Sequence, residues 1–175
     1  IFFGTVFGLP EIQLPEVGET VIGRVVKVLD YGVFLELLEY EGVQGFVHIS
    51  NVSSSWIKNI RAFVKEGQVR AGKVTNIDRQ RGQIDIALTK VSSAQQREKI
   101  EEFRQAKRSQ KLIELLASQV KETPEVAVKE VAEPLLLKYD SLYDAFLAIL
   151  ADESELSILP KKWALPLKEI IEKHL

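Results

Sequence analysis

The stretch Glu19–Leu88, ETVIGRVVKVLDYGVFLELLEYEGVQGFVHISNVSSSWIKNIRAFVKEGQVRAGKVTNIDRQRGQIDIAL, decides the fold. Apolar runs rich in Val and Ile are broken at Asp30–Gly32, Glu41–Gly42, Asn51–Phe63, Glu66–Gly67 and Gln80–Gly82. Short runs with polar or glycine punctuation predict a small, closed, five-stranded antiparallel barrel. Val21, Gly23, Val25 and Val28 lie near one face of the first run, and the offset at Val28 predicts a bulge. Val33, Leu35 and Leu37 alternate in the second run, and Ile84, Ile86 and Leu88 in the fifth, while Val69, Ala71, Val74 and Ile77 supply the fourth. Closure removes the edges that a flat sheet of this size would have to protect.

Between the third and fourth strands, Val52, Trp56, Ile57, Ile60 and Phe63 recur at intervals that predict a short helix across an open end of the barrel. Val52 and Ile60 lie four residues either side of Trp56, so Trp56 is expected in the core. Gly32 and Gly45 abut buried runs, where close backbone approach or a positive φ excludes a side chain.

Working outward, the period changes near Val91. Ser92 and Gln95 are placed for a capping box, and Ile100, Phe103, Ile113, Leu116, Ala117 and Val120 form one stripe at helical spacing. The middle of this helix is polar, with Arg104, Lys107, Arg108 and Lys111 close together. Thr123-Pro124-Glu125 reads as a second helix start, which Pro134 should kink or end. Ser141 caps a third helix; Asp152 to Pro160 reads as a loop with Leu156, Ile158 and Leu159 tucked in, and Pro166 as the start of a last helix. The expected organisation is residues 1–15 as an N-terminal extension or expression remnant, 16–90 as the barrel, and 91–175 as a separate all-α domain. Ile1–Ile12 within that extension is read as an extra strand or a remnant.

At 175 residues, with 46% apolar and 27% charged residues, the chain has the make-up of a globular protein of one or two domains. The net charge of −2 argues against duplex binding by bulk charge. Ten basic and ten acidic residues precede Val91, so neither half carries a charged tail. Having no cysteine excludes disulfides and thiolate metal sites and fits a reducing compartment. The apolar start contains two glycines, stops at Pro10 and is far too short for a membrane span.

Catalytic patterns are not found. No glycine-rich phosphate loop has the required spacing, and His48 and His174 are the only histidines. Asp78 and Asp85 flank a turn; the expectation is that Asp78 accepts from turn amides and Asp85 faces solvent. No enzyme, metal or cofactor is expected. What remains is a surface. Tyr31, Phe34 and His48 can share one barrel face on which unpaired bases stack, with Lys27, Lys73, Arg79 and Arg81 as phosphate partners. Tyr31 and Phe34 serve equally as core at the barrel mouth, and His48 as a hydrogen-bonding group of the wall. Arg104, Lys107, Arg108 and Lys111 are second-domain RNA-contact candidates.

Gly23-x-Val25, Tyr31-Gly32-x-Phe34, Gly45-Phe46-x-His48-x-Ser50, Gly67-x-Val69 with Val74, and Asp78 resemble the RNA-binding S1-type domain of the OB fold. Leu37–Gly45, Ile49–Ser53, Trp56–Arg61, Pro15-Glu16-x-Gly18-Glu19 and Ile84–Leu88 narrow the resemblance to the alpha subunit of archaeal-type translation initiation factor 2. It is strong over Leu14–Val91 and looser beyond, through Glu102-Phe103-x-x-Ala106. The resemblance implies a cytoplasmic, non-catalytic protein that supports initiator tRNA binding and start-codon selection on the small ribosomal subunit, touching initiator tRNA, mRNA or both. It also implies that the GTP-binding gamma subunit is held by a C-terminal domain lying outside this chain. The eukaryotic regulatory serine falls on Ser53, but the arginines that follow it there are Ser54, Ser55 and Trp56 here, which weakens the case for phosphorylation. Gln83 stands where many S1-type domains carry an arginine. Two other readings fit the barrel: an accessory RNA-binding module of an RNA-processing protein, and a protein-only adaptor.

Overall fold

The computed structural model describes residues 14–175, so the expectations for Ile1–Ile12 lie outside the described residues. Five strands, β1 (Thr20–Leu29), β2 (Gly32–Leu37), β3 (Gln44–His48), β4 (Val69–Asp78) and β5 (Gln83–Ala87), close into a barrel in the order β1-β2-β3-β5-β4. Four pairings are antiparallel; β3 meets β5 in parallel at Phe46 and Asp85. The alternating residues read from the sequence fill the interior: Val33, Leu35, Ile84 and Ile86 are all at most 1% exposed. The expected bulge lies between Val25 and Lys27. It throws Val26 outward and returns Val28 to the core, which explains the broken alternation.

The segment after β3 departs from the predicted helix. Two single 3-10 turns, Ile49–Asn51 and Ile60–Ala62, are joined by a loop. Val52, Ile60 and Val64 still plug the barrel, but Trp56 is 83% exposed and Phe63 is exposed too. The physical reason is local competition. Ser53 Oγ accepts the Ser55 N–H at 3.2 Å and Asn59 Oδ1 accepts that of Arg61 at 3.1 Å, so short polar side chains take up the backbone donors a helix would use.

Helix α1 (Ser93–Val120) opens on the predicted capping box: Ser92 N–H donates to Gln95 Oε1 at 2.9 Å and Gln95 N–H to Ser92 Oγ at 3.2 Å. β5 accompanies β4 only from Lys73 to Asp78. The bare stretch before it is closed at Ala71, whose N–H and C=O both pair with the Gln96 side chain. Lys99 reaches Glu39 at 3.0 Å. Two compact units divide inside α1, Ile1–Glu102 and Phe103–Leu175.

The second unit continues with α2 (Pro124–Ala127), a π turn (Val128–Ala132), α3 (Glu133–Lys138), α4 (Leu142–Ala151), a 3-10 segment (Glu153–Ile158) and α5 (Lys161–His174). Thr123 and Ser141 cap as expected, accepting from Val126 at 3.3 Å and Asp144 at 3.1 Å. Pro134 neither ends nor breaks the run. The wider π turn just before it takes up the mismatch a proline ring creates with the preceding carbonyls. Between Asp152 and Pro160, Leu156 and Leu159 are buried, whereas Ile158 is exposed on the 3-10 segment. The last helix starts at Lys161 after Pro160, with Pro166 inside it. Trp163, Leu167, Ile170 and Ile171 bury one face, and that packing outweighs the one backbone bond Pro166 cannot make. Trp163, Phe146, Leu135 and Ile113 are fully buried, which gives this unit a core of its own.

Candidate nucleic-acid interface

On the outer surface of β2 and β3 the alternation leaves aromatic rings where polar residues are usual. Phe34 and Phe46 are directly paired in the ladder, half-buried, with ring centroids 5.1 Å apart and planes inclined by 54°. Tyr31, in the turn before β2, is 58% exposed and stands 6.0 Å from Phe46. Gly32 makes this possible. A Cβ there would lie 2.3 Å from Phe46 Cζ and 2.7 Å from the Val47 carbonyl oxygen, so only glycine lets the Phe46 ring fold over the backbone.

The three rings form one wall of an open groove of about 400 Å³, also lined by Gln44, Gly45, Arg81, Gly82, Gln83 and Ile84. The opposite wall is the β4–β5 turn. Asp78 Oδ1 accepts the N–H groups of Gln80 at 3.1 Å and Arg81 at 3.2 Å, as expected for a turn carboxylate. Gly82 completes the turn at φ +65°, in the left-handed region. The Arg81 guanidinium, 3.8 Å from Asp78, is mostly exposed and free to turn toward a ligand. Gln83 donates to Asp85 at 3.1 Å. Asp85 takes the outward phase of β5 between buried Ile84 and Ile86 and is half-buried there.

The remaining predicted residues spread around this groove. Lys27 is exposed and pairs in the ladder with Phe34, which places a cation at the edge of the ring cluster. His48 is exposed at the end of β3, opposite Gly32. Its Nδ1 accepts the Ser50 N–H at 3.2 Å and lies 2.8 Å from Ser50 Oγ, so the neutral ring carries its proton on Nε2. Arg79 is exposed in the turn but does not line the groove. Lys73 pairs with Thr20, at the far end of β1 from Lys27, and stands apart from the rings. Ser53 is half-buried, with its hydroxyl held by the Ser55 amide. In the second unit, Arg104, Lys107, Arg108 and Lys111 fall at i, i+3, i+4 and i+7 on α1 and are all exposed. Lys107 lies over the Phe103 ring, and Arg108 donates to the His174 carbonyl.

Phe46, Gln44 and Gly82 were missing from the RNA-contact candidates, although Phe46 stands in the quoted Gly45-Phe46-x-His48-x-Ser50 motif. The signal for Phe46 was present: it takes the outward phase of β3 between buried Gly45 and Val47. Among the described residues no group of three His, Cys, Asp or Glu could hold a metal ion, and no helix is long and apolar enough to cross a membrane.

This combination of barrel and ringed face defines an S1-type OB fold, and residues 14–89 match the model of the S1 RNA-binding domain. Across 93% of its length the chain is 39% identical to the translation initiation factor 2 subunit alpha of Thermococcus onnurineus, covering 60% of that protein. The Methanopyrus kandleri subunit is 40% identical over 90% of the chain and 61% of its own length. Two solved structures, each 38% identical over 93% of this chain, superpose well. The intact alpha subunit of archaeal initiation factor 2 from Pyrococcus abyssi gives a TM-score of 0.76 with 63% of its chain covered. A chain from the complex of the alpha subunit, aDim2p and rRNA of Pyrococcus horikoshii gives 0.73 with 98% covered. The chain belongs to the family of alpha subunits of translation initiation factor 2. It spans about 60% of the length of the curated relatives it matches.

Proposed function

We propose that the chain is the RNA-binding part of an initiation factor 2 alpha subunit, which supports initiator tRNA binding and start-codon selection on the small ribosomal subunit without catalysing a reaction. The observation that carries this reading is the groove in which Tyr31, Phe34 and Phe46 meet Arg81. Flat rings beside cations recognise unpaired bases and their phosphates, and each stacked base contributes roughly 1–3 kcal/mol by substitution. Lys27, Arg79 and the Nε2–H of His48 add donors around the rim, while Lys73 sits too far along β1 to join them. The Pyrococcus horikoshii relative, solved in a complex with rRNA, supports an RNA ligand. The cationic face of Arg104, Lys107, Arg108 and Lys111 is a second contact for structured RNA. Attachment to the gamma subunit falls outside the two units described.

The net charge of −2 adds little long-range attraction, so affinity for isolated RNA is weak and its salt dependence shallow. Anisotropy of labelled initiator tRNA and of a short single strand, at low and moderate salt, tests the reading. Binding that weakens when Phe46 is replaced by Leu, with the melt unchanged, is expected. No binding of either RNA at any salt favours a protein-only adaptor.

A further inference from the structure

Among the described residues the most exposed large ring of the barrel unit is Trp56, outside the groove. A tryptophan 83% open to solvent leaves nearly its whole apolar surface in water, and a ring presented this way is a ready contact. The loop that carries it is rooted at both ends on the turn holding Tyr31. At its start, Ile49 N–H donates to the Tyr31 carbonyl at 2.9 Å. At its end, Arg61 donates to Asp30 at 2.9 Å and to the Val28 carbonyl at 3.1 Å. Buried Val52 and Ile60 pin the flanks, so the ring is displayed by an anchored loop. Trp56 is five residues from Arg61, which keeps it within about 18 Å of the Arg61 backbone even at full extension, and the Arg61 side chain spans from there to the turn.

We propose that Trp56 is a further base-stacking platform, which extends the path of a single-stranded RNA from the Phe34–Phe46 groove past Tyr31 onto the loop. The proposal rests on the RNA-binding reading of that groove. Two observations favour RNA over a protein on this ring. Between Asn51 and Lys65 the chain holds exposed Lys58 and Lys65, besides the Arg61 that pairs with Asp30, and no acid, which suits a phosphate backbone. Ile57 is half-buried and Val52 and Ile60 are buried, so the large apolar side chains this segment leaves exposed are Trp56 and Phe63, less than the broad apolar patch of a protein interface. OB folds take about 4–16 nucleotides each, more than three clustered rings can stack, so a strand filling the groove has length left for the loop.

The chain carries its own probe. Of its two tryptophans, Trp163 is 0% exposed in the helical unit, so a ligand that quenches tryptophan emission by stacking does so at Trp56. The full chain is titrated with an eight-nucleotide oligoadenylate while anisotropy of the labelled RNA and tryptophan emission are both followed. Saturable quenching at the concentration where anisotropy rises is expected. Trp56→Ala should abolish the quenching and weaken binding about tenfold, as loss of one stacked base implies, and Trp56→Phe should restore most of the affinity. The ring is exposed, so an unchanged melting curve for Trp56→Ala confirms that folding is not the cause. RNA that binds without quenching, with equal affinity for Trp56→Ala, overturns the proposal and leaves the groove reading standing. No binding at all overturns both. Quenching by RNA-free ribosomal proteins but not by the oligonucleotide assigns the ring to a protein and also overturns it.

Discussion

The barrel unit and the helical unit each bury an apolar core, but they place their aromatic residues differently. In the helical unit Trp163 and Phe146 are fully buried, and the Trp163 Nε1–H is satisfied by Glu130 at 3.2 Å. In the barrel unit Tyr31, Phe34, Phe46 and Trp56 lie on or near the surface, while the interior is filled by Val, Leu and Ile with Tyr40 as the buried ring among the described residues. Rings that the core does not require are available for ligands. The barrel is where recognition is expected, and the helical unit is where aromatic residues hold structure.

The sharpest way to break this contrast is to remove a ring from each side. Trp163→Ala should destabilise the helical unit by about 3–5 kcal/mol, seen as a lower urea midpoint, with the barrel's dispersed amide resonances kept. A loss below about 1 kcal/mol would mean that this core does not depend on its tryptophan. Gly32→Ala should act next most strongly. The added carbon meets the Phe46 ring and the Val47 carbonyl, so about 1–3 kcal/mol of barrel stability is lost and the Phe46 ring shifts. RNA binding should fall along with it.

Tyr40 sharpens the comparison by pH. It is buried in the barrel, its hydroxyl donating to Glu19, and burial first, then that bond and the surrounding carboxylates, push its pKa well above the ordinary value of about 10. Because the folded state favours the protonated phenol, the associated stability is intact below the unfolded pKa and is lost as pH climbs beyond it. Melting temperature should therefore drop above about pH 10 in the wild type and drop less in Tyr40→Phe. Equal slopes for the two would remove Tyr40 as the cause. The smallest effect is expected for Arg81→Ala. The side chain is exposed, so the melt should not move, while the logarithmic salt slope of RNA binding should flatten by about 0.7, one phosphate contact.

The same contrast accounts for what could be read in advance. The barrel was legible because inward residues alternate and because Gly32 and Gly45 stand where a side chain would collide with Phe46 or Ile86. Capping at Ser92, Thr123 and Ser141 was legible because each rests on one side chain and a nearby amide. Pro134 and Pro166 misled, since a π turn and a well-packed helical face override a local rule. Trp56 misled for the opposite reason: the interval of four was there, but Ser53 and Asn59 side chains took up backbone donors and no helix formed. Of the groove, Tyr31, Phe34 and Arg81 were recognisable by residue type; the outward phase of Phe46 was legible too, but its place against Phe34 is set by the register of β2 against β3.

The central claim is that RNA meets the ring-bearing face of the barrel, and amide and side-chain NMR shifts measured during titration test it most directly. Initiator tRNA and a short single-stranded RNA are added in turn to the full chain at low and moderate salt. The predicted result is a set of shifts concentrated on Tyr31, Phe34, Phe46, His48 and the 79–83 turn, present with both RNAs and reduced as salt rises. Shifts confined to the Arg104–Lys111 face of α1, or no shifts with either RNA, would contradict it.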